Sequence, residues 1–170
     1  MPLIYKKGLD VSRINNLEKE LGVRLPSDYR EFLHKMNGWY LSAPDYLQLP
    51  LAGVDGGEIS FDRFFGVTPE EECNDLLSFN KEFIGELCFL ASPIVIGEDG
   101  GGNPFVLVCD GTLEGVYYWD RTHLHEFNCV NSFDIKEQGD SGNLFMVATT
   151  FSEFQKRLSQ LLGKIDIVGE

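Results

Sequence analysis

Between residues 41 and 150 the sequence holds only four basic side chains, Arg63, Lys81, Arg121 and Lys136, against nineteen acidic ones. That shortage of positive charge excludes a nucleic-acid binder, which neutralises phosphates with a basic face. It also excludes docking on an anionic membrane. Long apolar runs are missing too, since no stretch approaches the roughly 18 apolar residues that a membrane span needs. The opening Met1-Pro2-Leu3-Ile4-Tyr5-Lys6-Lys7 has no apolar run behind its charges, so it does not read as a secretory signal. Cysteine is sparse. Cys73, Cys88, Cys109 and Cys129 lie 15, 21 and 20 residues apart with no Cys-x-x-Cys pair, which leaves a zinc knuckle or thioredoxin-like centre unsupported. Cys88 and Cys109 sit inside apolar runs, where a free thiol packs as a small hydrophobe. A cytoplasmic location with reduced thiols is the expectation.

What is present is enough to build one core. At 170 residues, 43% hydrophobic and 12% aromatic, residues 1–170 are expected to form a single domain needing neither disulfide nor structural metal. The net charge of -13 is unevenly placed: residues 1–40 are slightly basic, the last twenty are balanced, and the excess of acid lies wholly in 41–150. Solubility alone accounts for such a charge. A steering field for a cationic partner is the sharper reading, with solubility slightly favoured on charge alone.

Periodicity supplies the elements. Val11, Ile14, Leu17 and Leu21 recur at helical spacing, with Gly22 as the stop. A second helix opens at Pro26 or Ser27 and carries Tyr29, Phe32, Leu33 and Met36 on one stripe, ending at Asn37-Gly38. Residues 39–57 read as a turn-rich connection, and Ile59 with Phe61 as a short strand. Thr68-Pro69-Glu70-Glu71 carries the signals of a helix start, predicting a helix through about Asn80. Leu87–Leu90, Pro93–Ile96, Phe105–Cys109 and Val116–Trp119 then form short apolar runs divided by Gly100-Gly101-Gly102-Asn103 and Asp110-Gly111, the pattern of an antiparallel meander. Thr150-Phe151-Ser152-Glu153 is a capping box before Phe154, Leu158, Leu161 and Leu162, with Gly163 as the stop. The predicted class is α+β, an antiparallel sheet packed with an N-terminal helix pair and a C-terminal helix.

Reactive constellations are weak. The run Gly97-Glu98-Asp99-Gly100-Gly101-Gly102-Asn103 has no Lys and is followed by a strand, so it reads as a hairpin turn rather than a phosphate cradle. His123 and His125 stand two apart, an arrangement that can share a metal, but further ligands are not in view and surface histidines near a turn are favoured. No Ser or Cys sits in a nucleophile elbow. No catalytic residue, metal or cofactor is therefore expected. Trp39 with Tyr40, and Tyr117, Tyr118 and Trp119, are the aromatics of interest. Strand alternation places either Tyr118 or the Tyr117/Trp119 pair on an outer face, where aromatics amid acids anchor protein interfaces.

The run Ile14-x-x-Leu17-Glu18-x-x-Leu21-Gly22-x-x-Leu25-Pro26-x-x-Tyr29-x-x-Phe32-Leu33-x-x-x-Asn37-Gly38 resembles the opening signature of the SUKH superfamily, which includes fungal cell-wall-synthesis regulators and many bacterial immunity proteins. Looser similarities follow at Phe65-Gly66, Gly102-Asn103, Val116 to Asp120 and Phe151 to Leu158. Within the signature, Leu25-Pro26 sets the turn between two helices and Asn37-Gly38 supplies a left-handed cap. Glu18, a charge between core positions, is placed to accept hydrogen bonds from the following loop. The resemblance implies a non-enzymatic binder: an immunity protein neutralising a basic, secreted toxin such as a nuclease, or alternatively a regulatory scaffold of the fungal type. Monomer or weak homodimer is expected. The partner-binding residues proposed on that basis are Glu70, Glu71, Glu72 and Asp75 at the helix start, Glu98 and Asp99 at a hairpin tip, and the aromatics Trp39 and Tyr118.

Overall fold

The computed structural model describes residues 3–69, 72–125, 133–163 and 167–169. In chain order the elements are β1 (Leu3–Lys7), α1 (Val11–Leu21), α2 (Ser27–Lys35), β2 (Met36–Leu41), β3 (Leu47–Pro50), β4 (Glu58–Phe61), β5 (Arg63–Phe64), α3 (Leu76–Phe83), β6 (Pro93–Glu98), β7 (Pro104–Val108), β8 (Gly115–Asp120), β9 (Asn143–Ala148), α4 (Phe151–Leu162) and β10 (Ile167–Gly169). Eight strands form one sheet in the order β10-β1-β2-β5-β6-β7-β8-β9. Every neighbouring pair is antiparallel except β1 with β10, and β3 pairs with β4 apart from the main sheet. This is the expected α+β class. No helix among the described residues is long and apolar enough to cross a membrane.

Local chemistry explains the firm elements. Asp10 caps α1 by accepting from Arg13 N–H at 2.7 Å, and Gly22, at φ 68°, closes it in the left-handed conformation that glycine tolerates. Thr150 Oγ1 accepts from Glu153 N–H at the start of α4, while the Glu153 carboxylate reaches back to the N–H and hydroxyl of Thr149. The Asp28 carboxylate joins two helix starts, accepting from Tyr29 N–H in α2 and from Ser152 N–H in α4, both near the positive ends of their helices.

Three expectations of local structure need correction. Met36 does not extend α2; it opens β2, and Asn37-Gly38 lies inside that strand rather than capping the helix. The helix predicted from Thr68 begins instead after Asp75, whose carboxylate accepts from Ser78 N–H (2.7 Å) and also from Thr68 N–H (3.0 Å). A contact with a residue seven positions on thereby outcompetes the local Thr-Pro signal; Glu70 and Glu71 lie outside the described residues. Leu87–Leu90 is no strand: Leu87 ends a 3-10 turn, Ile84–Leu87, and the chain then turns into β6. Cys88 there is exposed, against expectation, whereas Cys109 is half-buried against the core.

The core centres on interlocked rings. Phe64 of β5 lies 5.0 Å from Phe32 of α2, 4.8 Å from Phe61 and 5.7 Å from Phe154 of α4, and Phe105 of β7 stacks on Phe154 at 5.3 Å. Every residue of β7 and β8 is buried, so both faces of the central sheet are covered. Tyr118 faces Phe105 at 5.6 Å. Trp119, one residue on, points to the other side, where the Arg121 guanidinium lies 4.2 Å from the Phe83 ring centre and 5.9 Å from that of Trp119. Where β5 ends and leaves β6 without a neighbour, Asn80 of α3 substitutes for a strand. Its amide donates to Leu76 and Val95 carbonyls and accepts from Val95 N–H, all at 2.8–2.9 Å. At the opposite end of the sheet the outward groups of β9 are also taken: Ile135 pairs with Leu144, and the Asp134 carboxylate accepts from Met146 N–H at 2.6 Å.

Two substitutions contrast satisfied and unsatisfied polar groups. Asn80→Ala strands the buried N–H and carbonyl of Val95 and is expected to cost about 2–3 kcal/mol in chemical denaturation. The Tyr29 hydroxyl is fully buried with no hydrogen-bond partner among the described residues, and burial pushes its pKa up. Tyr29→Phe is therefore expected to leave stability unchanged or raise it by up to about 1 kcal/mol; a loss of that size in the same assay would contradict the reading.

Candidate partner-binding surface

The polar residues of the N-terminal and meander signatures serve the backbone. Glu18 Oε1 accepts from Leu25 N–H at 2.8 Å and its other oxygen pairs with Arg30, as its position between core residues predicted. Burial works to raise the Glu18 pKa, but the Arg30 and Leu25 contacts outweigh it and hold the carboxyl below its usual range. Asn37 makes a two-way clamp on Val67, donating to its carbonyl (2.8 Å) and accepting from its N–H (2.7 Å). Asn103 Oδ1 accepts from Thr122 N–H and hydroxyl. The fully buried Asp120 carboxylate accepts from Leu124 and His125 N–H at 2.8 and 2.9 Å, folding the turn after β8. These side chains build turns, and each has its hydrogen bonds committed.

A cluster of half-buried acid gathers where β5, β6 and the β6–β7 hairpin meet. Arg63 is the centre. Its guanidinium makes two parallel bonds to Asp62 at 2.9 Å, a third to Asn74 Oδ1 at 2.9 Å, and lies 3.5 Å from Glu98 Oε1. Hydrogen bonding to Asp62 raises the Arg63 pKa against the opposing effect of burial. Through Asn74 the guanidinium ties the hairpin end to the segment carrying Glu72 and Asp75. The described part of the first acidic cluster, Glu72 to Asp75, is thus tied to the chain around Glu98 and Asp99 by a residue that sequence reasoning passed over. A signal was available: Arg63 is one of only four basic residues in the acidic stretch and follows an aspartate.

The chosen side chains differ in what they offer. Glu98 does not project from a hairpin tip; its side chain is only 15% exposed, and burial, followed by the charges of Asp62 and Asp99 working against Arg63, raises its pKa. Asp99 is bound into the hairpin, accepting from Gly101 and Asn103 N–H, from the Asn103 amide and from the Tyr118 hydroxyl. Asp75 caps α3. Glu72 lies in the 3-10 turn Glu72–Asn74. Trp39 and Tyr118 are 6% and 1% exposed, which corrects the expectation of outward aromatics: Trp39 meets Phe61 and Phe64 edge-on, and Tyr118 lies beneath the hairpin that Asp99 closes. His123 and His125 occupy a turn rather than a strand, with His123 at φ 57° and His125 Nδ1 accepting from Asp55 N–H. Among the described residues no three of His, Cys, Asp and Glu stand together as metal ligands.

Glu98 gives a test of this electrostatic picture. A carboxyl whose folded pKa exceeds its unfolded one penalises the fold above that pKa and is relieved as pH falls through it. Glu98→Gln is therefore expected to melt no lower than the parent at pH 7. The parent should close the gap as the solution is acidified toward pH 5. A variant clearly less stable at pH 7 would mean that the Arg63 contact outweighs the burial of the charge.

A search among curated proteins found no match. A family model does match: residues 8–157 fit the SMI1 / KNR4 family (SUKH-1), a span that runs from the turn before α1 into α4 and contains the Glu18, Asn37, Asn103 and Asp120 clamps. The chain belongs to the SMI1 / KNR4 family (SUKH-1).

Proposed function

We propose that this chain is a non-enzymatic protein-binding domain: an immunity protein that binds and neutralises a secreted toxin, of the nuclease kind, through the acidic end of its sheet. The observation that carries the reading is the Arg63 cluster, in which Asp62 and Glu98 flank one half-buried guanidinium and Asp99 stands next to Glu98. Arg63 has its donors engaged within the chain, so the field reaching solvent there is negative. A nuclease presents a basic substrate groove, and an acidic cover fits it with fast, steered association. Family membership supports an immunity-type or regulator-type role. The acidic surplus of residues 41–150 favours the first, because a regulator binding host signalling proteins has no need of it.

The experiment is affinity capture with the tagged chain from its native host, followed by association kinetics on the partner recovered. A basic domain of a secreted protein is expected, with an association rate falling at least about tenfold as salt rises from about 50 mM to about 500 mM. Glu98→Gln should slow association at low salt and converge with the parent at high salt. A partner whose affinity ignores salt would set the toxin reading aside in favour of the regulatory scaffold.

A further inference from the structure

The sequence contains one Asn-Gly pair, Asn37-Gly38, and the fold forces both residues. Asn37 is 8% exposed and its amide is committed in both directions to the Val67 backbone. No other side chain of that length offers a donor and an acceptor together on one planar head. Gly38 stands at φ 76°, and a Cβ there would come within 2.8 Å of the Phe64 carbonyl oxygen, the Phe65 carbonyl carbon and the Gly66 nitrogen. Backbone atoms cannot yield as a flexible side chain can, so position 38 stays glycine. Two independent structural requirements thereby place side by side the pair whose side-chain amide is most easily lost. With no side chain on the following residue, its backbone nitrogen is unhindered in attacking the asparagine Cγ.

We propose that Asn37 is a deamidation site gated by the fold. In the native chain the clamp holds the Asn37 amide against Val67, and the sheet holds the Gly38 backbone, so nitrogen and Cγ are kept from reacting. When β2 separates from the chain beyond β5, the Gly38 nitrogen attacks Asn37 Cγ, a C–N bond forms, and the side-chain nitrogen leaves as ammonia carrying the displaced proton. Water then opens the resulting succinimide to aspartate or its β-linked isomer. A carboxylate at position 37 accepts from Val67 N–H but repels the Val67 carbonyl, and the β-linked isomer adds an atom to the backbone of a buried strand. The chain that has opened and reacted does not return to the original fold. The junction of β2 and β5 therefore records its own opening as a covalent change.

The test uses the full chain without substitution. Samples held at mildly alkaline pH in native buffer and in urea are mapped by peptide mass spectrometry, with ammonia release and β-linked aspartate assayed alongside. Conversion at Asn37 is expected in urea, at least about a hundredfold slower in native buffer, and the converted protein returned from urea is expected to have a lowered denaturation midpoint. Equal rates in the two samples would overturn the gating. A converted protein that regains the original midpoint would overturn the claim that the amide clamp is needed.

Discussion

A strand of two residues holds this sheet together. On one side of β5 stand β10, β1 and β2; on the other stand β6 to β9, and the two groups meet through Arg63 and Phe64, with Asp62 and Phe65 adding single backbone bonds at either end. Two residues give few ladder bonds, so the junction is reinforced by other means. Phe64 enters the ring cluster of α2 and α4, Arg63 ties Asp62, Asn74 and Glu98, and side-chain amides replace strand neighbours where the ladder stops: Asn37 on Val67 and Asn80 on Val95. Buried amides of this kind are costly unless satisfied, and here their polar atoms have partners. The acidic end and the Asn37-Gly38 pair both lie on this seam, one on each side of β5.

Much of the fold was legible because its signals are local. The Thr150 cap, the Gly22 stop and the Gly-rich hairpin depend on residues within a few positions of one another. The errors came where a distant residue decides. Asn37-Gly38 reads as a helix stop until Val67, thirty residues on, claims its amide. Thr68-Pro69 reads as a helix start until the Asp75 carboxylate takes the Thr68 N–H. The strands β1, β2, β3 and β9 went unseen: the burial of β1, β2 and β9 does not alternate and their partners are far off in sequence, while the short β3 lies among the prolines and glycines of 39–57, which is not the plain connection expected.

The candidate surface was legible as charge but not as geometry. Counting acids located the segment that carries the excess negative charge, and the structure ties its Glu72–Asp75 part to Glu98 through Arg63. Composition could not tell a carboxylate that faces solvent from one occupied by backbone N–H groups, as in Asp99 and Asp75, nor foresee that both sides of β8 are covered and its aromatics buried. Glu18 was readable for the opposite reason: a charge between core positions must find partners close at hand, and the adjoining loop provides them.

The treatment of β9 bears on how this chain meets others. A bare outer strand invites a foreign strand to dock along it, which is how sheets fuse into dimers or fibres. Here such a newcomer would find Leu144 already paired with Ile135 and the Met146 N–H held by Asp134, and would have to displace a carboxylate to gain entry. Recognition on that flank must accordingly work through side chains, which can be exchanged singly as a partner changes without rebuilding the sheet beneath.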